Sequence, residues 1–335
     1  MTDRRTFLRT LAASTVASTL ANGESTSDKL GQVLPTRLLG RTGERITSFT
    51  LGGSHCEKAA SEKESQHIIE TAIELGVRSF DNARNYGEGN AEVVYGKFLT
   101  PRYREHIFLT TKTSRGTAKA VRTQLEESLR LMKTDYLDLW QIHSIESPED
   151  VDNRIKNGVL DEFLKAREEG KARYLGFTGH SSFRAHLHLL KRLKELGTPL
   201  DTCLMPMNLV DPHYDSYIVN VLPELLKDRY GIFAMKSLAC GTMLGVPPFW
   251  RRGKEEELPS LTDKLDLTVE DMHHYVYSLP VSSLVSGCET ADQVKENIAI
   301  LKSYKGMDAK KRDELIVKVK PFAGRTFEYY KKPIS

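Results

Sequence analysis

The chain has 335 residues, of which 39% are hydrophobic, 8% aromatic and 28% charged, and its formal net charge is +3. This composition excludes a disordered, collagen-like or coiled-coil chain, and the near balance of charges gives no basic face for nucleic acid. No run approaches the roughly 18–20 continuous apolar residues of a membrane span. The four cysteines lack the C-x-x-C spacing of a metal site and do not form the pattern of a disulfide scaffold.

Residues 1–21 have the order of regions found in an export signal. The charged start contains Arg4-Arg5 in the run D-R-R-T-F-L-R, a weakly apolar stretch follows, and the pattern T-L-A ends at Ala21. The run is similar to a twin-arginine signal, which the twin-arginine translocation machinery reads as an address. We therefore expect residues 1–33 to be signal peptide and polar linker, and the protein to be exported to the periplasm or another extracytoplasmic space. The alternative is a basic tail with a chance Arg-Arg pair on a cytoplasmic protein.

From residue 34 onward, short β-branched or apolar runs alternate with amphipathic stretches of helical period. The eight strand-like runs cover residues 46–53, 77–83, 107–113, 136–144, 172–180, 202–208, 231–238 and 281–287. Eight strand–helix units favour an α/β fold of the (β/α)8 TIM-barrel type, with residues 34–335 as one domain. An open doubly wound sheet is disfavoured, because no G-x-G-x-x-G follows the first strand.

Three segments lie outside the regular repeat. The run PTRLLGRTGERITS predicts an N-terminal β-hairpin that turns at Thr42-Gly43 and closes one end of the barrel. Residues 240–267 are rich in Pro, Gly and charge, and they predict a long loop on the face where barrel enzymes carry their active sites. Residues 308–324 predict an extra C-terminal helix after the eighth unit.

Polar residues stand at the carboxyl ends of three successive predicted strands. Asp81 ends the second strand, Lys112 the third and His143 the fourth, each 31 residues after the one before. Because one strand–helix unit has that length, the three side chains are predicted to meet at one rim of the barrel, where catalytic groups lie in this fold. Tyr86 lies five residues beyond Asp81, in the loop NARNYGEGN, and can lean over that rim.

These four residue types together describe a proton donor for a carbonyl oxygen. A lysine ammonium beside a tyrosine hydroxyl makes the hydroxyl a stronger acid, and an aspartate paired with the lysine keeps a buried amine charged. A neutral histidine can donate a hydrogen bond that orients and polarises a carbonyl. None of these groups supplies electrons, so a hydride donor is needed. Each residue alone has an ordinary structural interpretation, but their common spacing favours a catalytic site.

The chain resembles the aldo/keto reductase family from Thr36 to about Tyr304. The similar segments are TRLLGRTGERITSFTLGG, FDNARNYGEGNAE, TTKT, DLWQIHS, YLGFTGHS, NLVD, SLACGTMLG and VSGCETADQVKENI. The resemblance implies that Tyr86 donates the proton, that Lys112 and Asp81 tune it, and that His143 orients the substrate. It also implies NADP(H), with NAD as the alternative, lying extended across the barrel mouth without a Rossmann fold. The implied substrate is a small carbonyl or alcohol, such as an aldehyde, a ketone or a sugar.

The resemblance also implies a set of cofactor-binding residues. They are Gly53, Ser54, Asp81, Thr178, Gly179, Asn208, Lys236, Ser237, Leu238, Gly241, Gly287, Gln293, Glu296 and Asn297. The chain departs from the family at several of these positions. Thr178-Gly179 replace a serine–asparagine pair, and Leu204 replaces the glutamine that grips the carboxamide, which leaves Asn208 as its substitute.

Two further departures concern the ends of the cofactor. Met235 replaces the aromatic residue that stacks on the nicotinamide, although a methionine can still pack against a ring. Lys236 follows it and can reach a phosphate. Gln293 replaces an arginine near the adenine, which weakens a strict preference for NADP. These departures leave a second hypothesis open, a cofactor-binding barrel that senses redox state or regulates a partner and turns over little.

Other histidines do not predict a metal site. His273-His274 and the pair His186 and His188 lie in amphipathic helical stretches without a matching set of ligands. We therefore expect these four residues to be surface or half-buried histidines.

Overall fold

The computed structural model describes residues 26–248 and 258–332. The predicted signal, residues 1–21, and part of the predicted loop 240–267 lie outside the described residues. Within the described part of the chain, no helix combines the length and the apolar character that crossing a bilayer requires.

Two short antiparallel strand pairs precede the main sheet. They are β1 (Ser27–Asp28) with β2 (Gly31–Gln32), and β3 (Thr36–Leu38) with β4 (Arg45–Thr47). The second pair is the predicted hairpin. Its turn ends at Gly43, whose φ of 77° is a left-handed conformation that glycine adopts without a steric cost.

Eight parallel strands then close into a barrel. They are β5 (Phe49–Gly52), β6 (Ser79–Asp81), β7 (Phe108–Thr113), β8 (Leu137–Ile142), β9 (Ala172–Thr178), β10 (Thr202–Pro206), β11 (Gly231–Met235) and β12 (Ser283–Gly287). Each strand pairs with the next along the chain, and β12 pairs with β5 to close the sheet. This confirms the predicted (β/α)8 barrel, and every strand lies within its predicted run.

Helices surround the barrel. In chain order they are α1 (Gly53–Cys56), α2 (Glu62–Glu74), α3 (Asn90–Phe98), α4 (Thr100–Tyr103), α5 (Ala118–Leu131), α6 (Pro148–Lys156), α7 (Val159–Glu168), α8 (Phe183–Glu195), α9 (Tyr217–Asn220), α10 (Leu222–Lys227), α11 (Leu261–Leu265), α12 (Val269–Tyr277), α13 (Ala291–Ser303) and α14 (Ala309–Val319). Hydroxyl side chains cap several of them. Ser61, for example, accepts a hydrogen bond from the amide of Glu64 at the start of α2. Helix α14 is the predicted extra helix.

The hairpin closes the floor of the barrel, as predicted. Its Leu39 and Ile46 join a buried cluster with side chains from the barrel strands, among them Leu204 and Phe233. The buried guanidinium of Arg37 donates hydrogen bonds to backbone carbonyls at the end of α12 and just before β12. The predicted catalytic residues therefore belong to the opposite, carboxyl end of the strands.

Residues 26–33 pack on the domain, although the sequence assigns them to a linker. Asp28 forms an ion pair with Arg78, with 2.7 Å between Oδ2 and Nε. The amide of Leu34 donates to the carbonyl of Gly76 at 3.0 Å. The described domain thus includes β1 and β2, and its boundary lies before residue 34.

The last described residues, 323–332, return to the rim of the barrel. The carbonyl of Phe327 accepts a hydrogen bond from the Thr242 hydroxyl at 2.8 Å, and the amide of Lys332 donates to the carbonyl of Ser181 at 2.9 Å. We call residues 323–332 the C-terminal segment. It spans from the loop after β9 to the loop after β11.

Candidate active site

The carboxyl ends of three neighbouring strands bring the predicted catalytic residues together. Asp81 is the last residue of β6, Lys112 is the last but one of β7, and His143 follows β8 directly. Since β6, β7 and β8 are parallel neighbours, these ends lie side by side at one rim. The equal spacing along the sequence therefore corresponds to a real cluster.

Lys112 is at the centre of the cluster. Its ammonium donates hydrogen bonds to Asp81 Oδ2 and to the carbonyl of Asn82, both at 2.6 Å. The side chain is fully buried, and burial by itself would lower the pKa of the amine. The charge of Asp81 and the hydroxyl of Tyr86 outweigh burial and raise that pKa instead. The surroundings of Lys112 therefore favour the charged amine despite its burial.

Tyr86 places its hydroxyl beside this cation. Its Oη lies 3.4 Å from Lys112 Nζ, in a short 3-10 turn, Tyr86–Gly89. The loop before it is held by Asn82, whose amide donates to the carbonyl of Ala91 and accepts from the amide of Ala83. Tyr86 lines the cavity at the mouth of the barrel, and its hydroxyl contacts the lysine.

His143 completes the rim as a neutral imidazole. Burial lowers its pKa well below the usual value, and the charge of Lys112 acts in the same direction. Its ring meets the Tyr86 ring edge-on, with 5.7 Å between the centroids. Nδ1 is buried without a hydrogen-bond partner, so Nε2 is the ring nitrogen that can meet a ligand. A neutral Nε2–H at this place can donate to the same oxygen that Tyr86 reaches.

A cavity of about 290 Å³ opens at this mouth. Its lining includes two of the predicted catalytic residues, Asp81 and Tyr86, and six further residues of the predicted cofactor set: Ser54, Lys236, Ser237, Leu238, Gly241 and Gly287. Gly287 is required there, because a Cβ at this position would lie 2.0 Å from the His55 ring nitrogen. The structure thus brings half of the predicted cofactor residues to one surface beside the catalytic cluster.

Three other predicted cofactor residues lie close to the strand ends but do not line the cavity. Gly53 begins α1, Thr178 ends β9, and Gly179 follows that strand directly. A Cβ on Gly179 would lie 2.6 Å from the carbonyl oxygen of Ile145, so this glycine permits a close backbone approach.

Asn208 is engaged elsewhere, and the structure does not support it as the substitute for the missing glutamine. Its amide nitrogen donates to Glu328 Oε1 at 3.1 Å and to the Tyr330 hydroxyl at 3.0 Å. Its amide oxygen accepts from the amides of Val210 and Asp211. With both ends used in a buried network, Asn208 has no group left to grip a carboxamide.

Gln293, Glu296 and Asn297 lie on α13, outside the lining of the cavity. The Gln293 side chain accepts a hydrogen bond from the amide of Glu289 at 2.7 Å, and the Asn297 amide lies 3.4 Å from the sulfur of Cys288. Their role at the adenine end stays a prediction.

The sequence missed several residues of the cavity. His55, Cys240 and Ser286 line it. The position of His55 could have been found, since it follows Ser54 directly after the first strand. Behind Ser237 stands His273, which reaches the serine from α12, 36 positions further along the chain. It is fully buried, as is His186, in contrast to the surface or half-buried positions that the sequence predicts.

A second cavity, of about 360 Å³, lies at the floor of the barrel and does not offer a comparable site. Four of its charged side chains are already paired, Arg78 with Asp28 and Arg173 with Asp138. Within residues 26–248 and 258–332, no group of three or more His, Cys, Asp or Glu side chains is arranged to hold a metal ion.

The cavity at the mouth has the chemistry that a nicotinamide dinucleotide requires. Lys236 and Ser237 offer a cation and a hydroxyl for phosphate oxygens, and Met235 and Val285 offer apolar surface for a ring. Leu204 lies inside the barrel in the buried apolar cluster and offers no polar group. The residues present therefore fit a dinucleotide, with fewer contacts to its carboxamide than a glutamine at position 204 would give.

Comparison with known proteins identifies the family. Residues 48–245 match the model of the aldo/keto reductase family. The chain is 25% identical to L-galactose dehydrogenase of Arabidopsis thaliana over 327 residues, which cover 87% of this chain and 96% of that protein. It is 28% identical to L-glyceraldehyde 3-phosphate reductase of Escherichia coli K12 over 225 residues, 62% of this chain and 63% of that protein.

A solved structure has the same fold. The holo structure of an aldo-keto reductase from Bacillus halodurans superposes with a TM-score of 0.72 at 21% identity, and the match covers 88% of this chain and 99% of that one. With the barrel, the rim and the family match in agreement, this chain belongs to the aldo/keto reductase family, whose members are oxidoreductases that transfer a hydride between a nicotinamide nucleotide and a carbonyl or alcohol.

Proposed function

We propose that this protein reduces a small carbonyl substrate, or oxidises the corresponding alcohol, with Tyr86 as the proton donor and NADP(H) as the preferred cofactor. The observation that carries the proposal is the buried Lys112 ammonium, which contacts both Asp81 at 2.6 Å and the Tyr86 hydroxyl at 3.4 Å. A purely structural ion pair has no need of a tyrosine hydroxyl from a residue that lines a cavity.

The chain's own groups handle the proton. Nε2–H of neutral His143 donates to the substrate oxygen and holds it beside the Tyr86 hydroxyl. As the carbonyl carbon is reduced, the oxygen gains negative charge and takes the proton from Tyr86. The adjacent Lys112 ammonium stabilises the phenolate that remains, and Asp81 keeps that ammonium charged and fixed. The bound dinucleotide supplies the hydride, which none of these side chains can provide.

The cofactor assignment rests on the cavity and on the departures from the family pattern. Lys236 and Ser237 would hold phosphate groups, while Gly53, Thr178 and Gly179 would lie along the extended molecule. An arginine near the adenine would favour a 2′-phosphate, and Gln293 does not offer that charge. The family resemblance favours NADPH, but without that charge the preference should be small. We therefore expect both nucleotides to bind, and NADPH to bind more tightly than NADH by a modest factor.

The test is a fluorescence titration of the purified protein with NADPH and with NADH. Saturable binding of at least one nucleotide is expected, and Lys236→Met should weaken it about tenfold or more, because a hydrogen bond to a charged group is worth about 1.5–3 kcal/mol. The control is Lys191→Met, which changes an exposed lysine of α8 that does not line the cavity. Absence of binding for both nucleotides would refute the proposed function.

The alternative, a redox-sensing or regulatory barrel with little turnover, is less well supported. A module that only binds a nucleotide does not need an acid next to a buried cation. Two of the relatives that the chain matches are named as a dehydrogenase and a reductase. Tight nucleotide binding without turnover across a panel of aldehydes, ketones and sugars would favour the alternative.

We also propose that the protein is exported by the twin-arginine route, on the evidence of Arg4-Arg5 and the following apolar stretch. That route carries folded proteins, so the nucleotide would leave the cytoplasm already bound. We expect the full chain to reach the periplasmic fraction of a bacterium that has this route, and Arg4→Lys combined with Arg5→Lys to keep it in the cytoplasm. Arg9→Lys is the matched control. A wild-type chain found only in the cytoplasm would contradict the proposal.

A further inference from the structure

A buried histidine stands directly behind the cavity at the mouth of the barrel. His273 lies on α12 and is 1% exposed, and its Nε2 is 3.2 Å from the hydroxyl oxygen of Ser237. Ser237 lines the cavity between Lys236 and Leu238. A buried imidazole thus contacts a hydroxyl that a ligand can reach.

We propose that His273 is a positioning residue that fixes the Ser237 hydroxyl so that it donates a hydrogen bond to a phosphate of the bound dinucleotide. This inference rests on the proposed function. It assigns to α12, which contributes no residue to the lining of the cavity, a specific part in binding the cofactor.

The tautomer of His273 follows from its surroundings. Nδ1 is buried and has no hydrogen-bond partner. A buried N–H without an acceptor is rarer in proteins than an under-used acceptor, so the proton belongs on Nε2. In that tautomer Nε2–H donates to the Ser237 oxygen and leaves the hydroxyl proton free. In the opposite tautomer Nε2 would accept a hydrogen bond from the Ser237 hydroxyl, and Ser237 would have no proton left to donate to an anion.

The imidazole also stays neutral. Burial lowers the pKa of His273 to about 4, so Nε2 carries its single proton throughout the neutral range. His273 therefore orients the Ser237 hydroxyl and adds no charge to the site. The hydroxyl rotor of an unassisted serine is free, whereas a donor on one side of Ser237 Oγ restricts its proton to the side that faces the cavity.

The backbone supports the same orientation. Lys236, the residue before Ser237, has a φ of 58°, and Ala239 and Cys240 after it have φ values of 49° and 61°. Non-glycine residues rarely adopt these left-handed values, so the backbone on both sides of Ser237 is held in a defined shape. This shape fixes the position of Ser237 next to Lys236 in the lining of the cavity.

The test is a double-mutant cycle on nucleotide affinity. Dissociation constants for NADPH and for ADP-ribose are measured by fluorescence and calorimetric titration with the wild type, His273→Leu, Ser237→Ala and the double variant. His273→Leu and Ser237→Ala should each weaken both ligands about three- to tenfold, the worth of one hydrogen bond. The double variant should be no weaker than Ser237→Ala, because the histidine acts only through the serine.

Two further variants separate positioning from general structure. His273→Gln keeps an N–H donor near the same place and should restore most of the affinity. His274→Leu changes the neighbouring helix residue, which contacts the Ile300 carbonyl and the Ser303 hydroxyl, and should leave the affinity unchanged. Circular dichroism and the unfolding midpoint show whether each variant is folded.

Each outcome has a definite meaning. Additive losses in the double variant, or no rescue by glutamine in a folded protein, would overturn the role of His273. A loss for NADPH but not for ADP-ribose would show that Ser237 does not serve the phosphates. A wild-type protein that binds neither ligand would refute the proposed function itself, which is a different result from a failed cycle.

Discussion

Tyr86→Phe is expected to lower kcat for carbonyl reduction about 10²–10⁴-fold, the range that a positioned general acid contributes. The variant loses only the hydroxyl oxygen. The ring still packs edge-on against His143 and lies over Lys112, whose Nζ is 5.0 Å from the ring centroid. Because that oxygen is the proposed proton donor, we expect the chemical step to fail while the cavity keeps its shape.

Steady-state kinetics and nucleotide titration together check this result. The dissociation constant of the nucleotide should change little, since the loss falls on the transition state rather than on the bound cofactor. Tyr103→Phe, in α4 and away from the rim, is the matched control and should retain full activity. A Tyr86→Phe variant with more than a tenth of the wild-type kcat would show that another group donates the proton.

The catalytic rim could be predicted because it follows from local regularity. Each strand–helix unit is a local pattern of period 2 followed by period 3.6, and the parallel barrel converts equal spacing in sequence into adjacency in space. Asp81 and Lys112 are thus brought within 2.6 Å by two consecutive units. No long-range information beyond the count of residues was needed.

The parts that sequence reasoning missed depend on contacts between distant segments. The fate of Asn208 is decided by Glu328 and Tyr330, about 120 positions later, in a C-terminal segment that has no regular pattern of its own. Residues 26–33 have the composition of a polar linker. The ion pair of Asp28 with Arg78, which attaches them to the domain, leaves no sign in that composition. In the sequence, His273 has the same surroundings as any other histidine of an amphipathic helix, because its partner Ser237 lies 36 positions away. Side-chain partners of this kind leave no periodic signal.

Lys331→Met is expected to destabilise the protein by about 3–5 kcal/mol at pH 8, the cost of breaking a buried ion pair from one side. The Lys331 ammonium donates to Asp211 Oδ1 at 2.8 Å, to Glu328 Oε2 at 2.7 Å and to the carbonyl of Tyr214 at 2.7 Å. Both carboxyl groups are fully buried. Without the lysine, two carboxylates would face each other out of contact with water, and the C-terminal segment would lose one of its attachments to the loop after β10.

The loss of stability in Lys331→Met should shrink as the pH falls. This pH dependence would identify the buried carboxylates as the cause of the loss. Burial, together with the charge of Asp211, raises the pKa of Glu328 from 4.5 to about 7. The folded state therefore binds a proton on Glu328 more readily than the unfolded state does, so lowering the pH from 8 towards 5 favours folding at this site. Removing the cation raises that pKa further, and protonation then relieves part of the repulsion in the variant.

Urea unfolding of the wild type and the variants at pH 8 and pH 5.5 measures both effects. Glu328→Gln combined with Lys331→Met should recover part of the stability at pH 8, because only one carboxylate then stays without its partner. Lys332→Met changes the next residue, an exposed lysine whose ion pair with Glu146 lies at the surface, and should alter the stability little. Equal losses for the two lysine variants, or a loss that grows on acidification, would show that Lys331 does not hold the segment through these carboxylates. If the Lys331→Met and Lys332→Met variants differ as predicted, the buried network helps to hold the C-terminal segment at the rim. Asn208, which is bonded to Glu328 and Tyr330 in that network, then has a structural role rather than a role in cofactor binding.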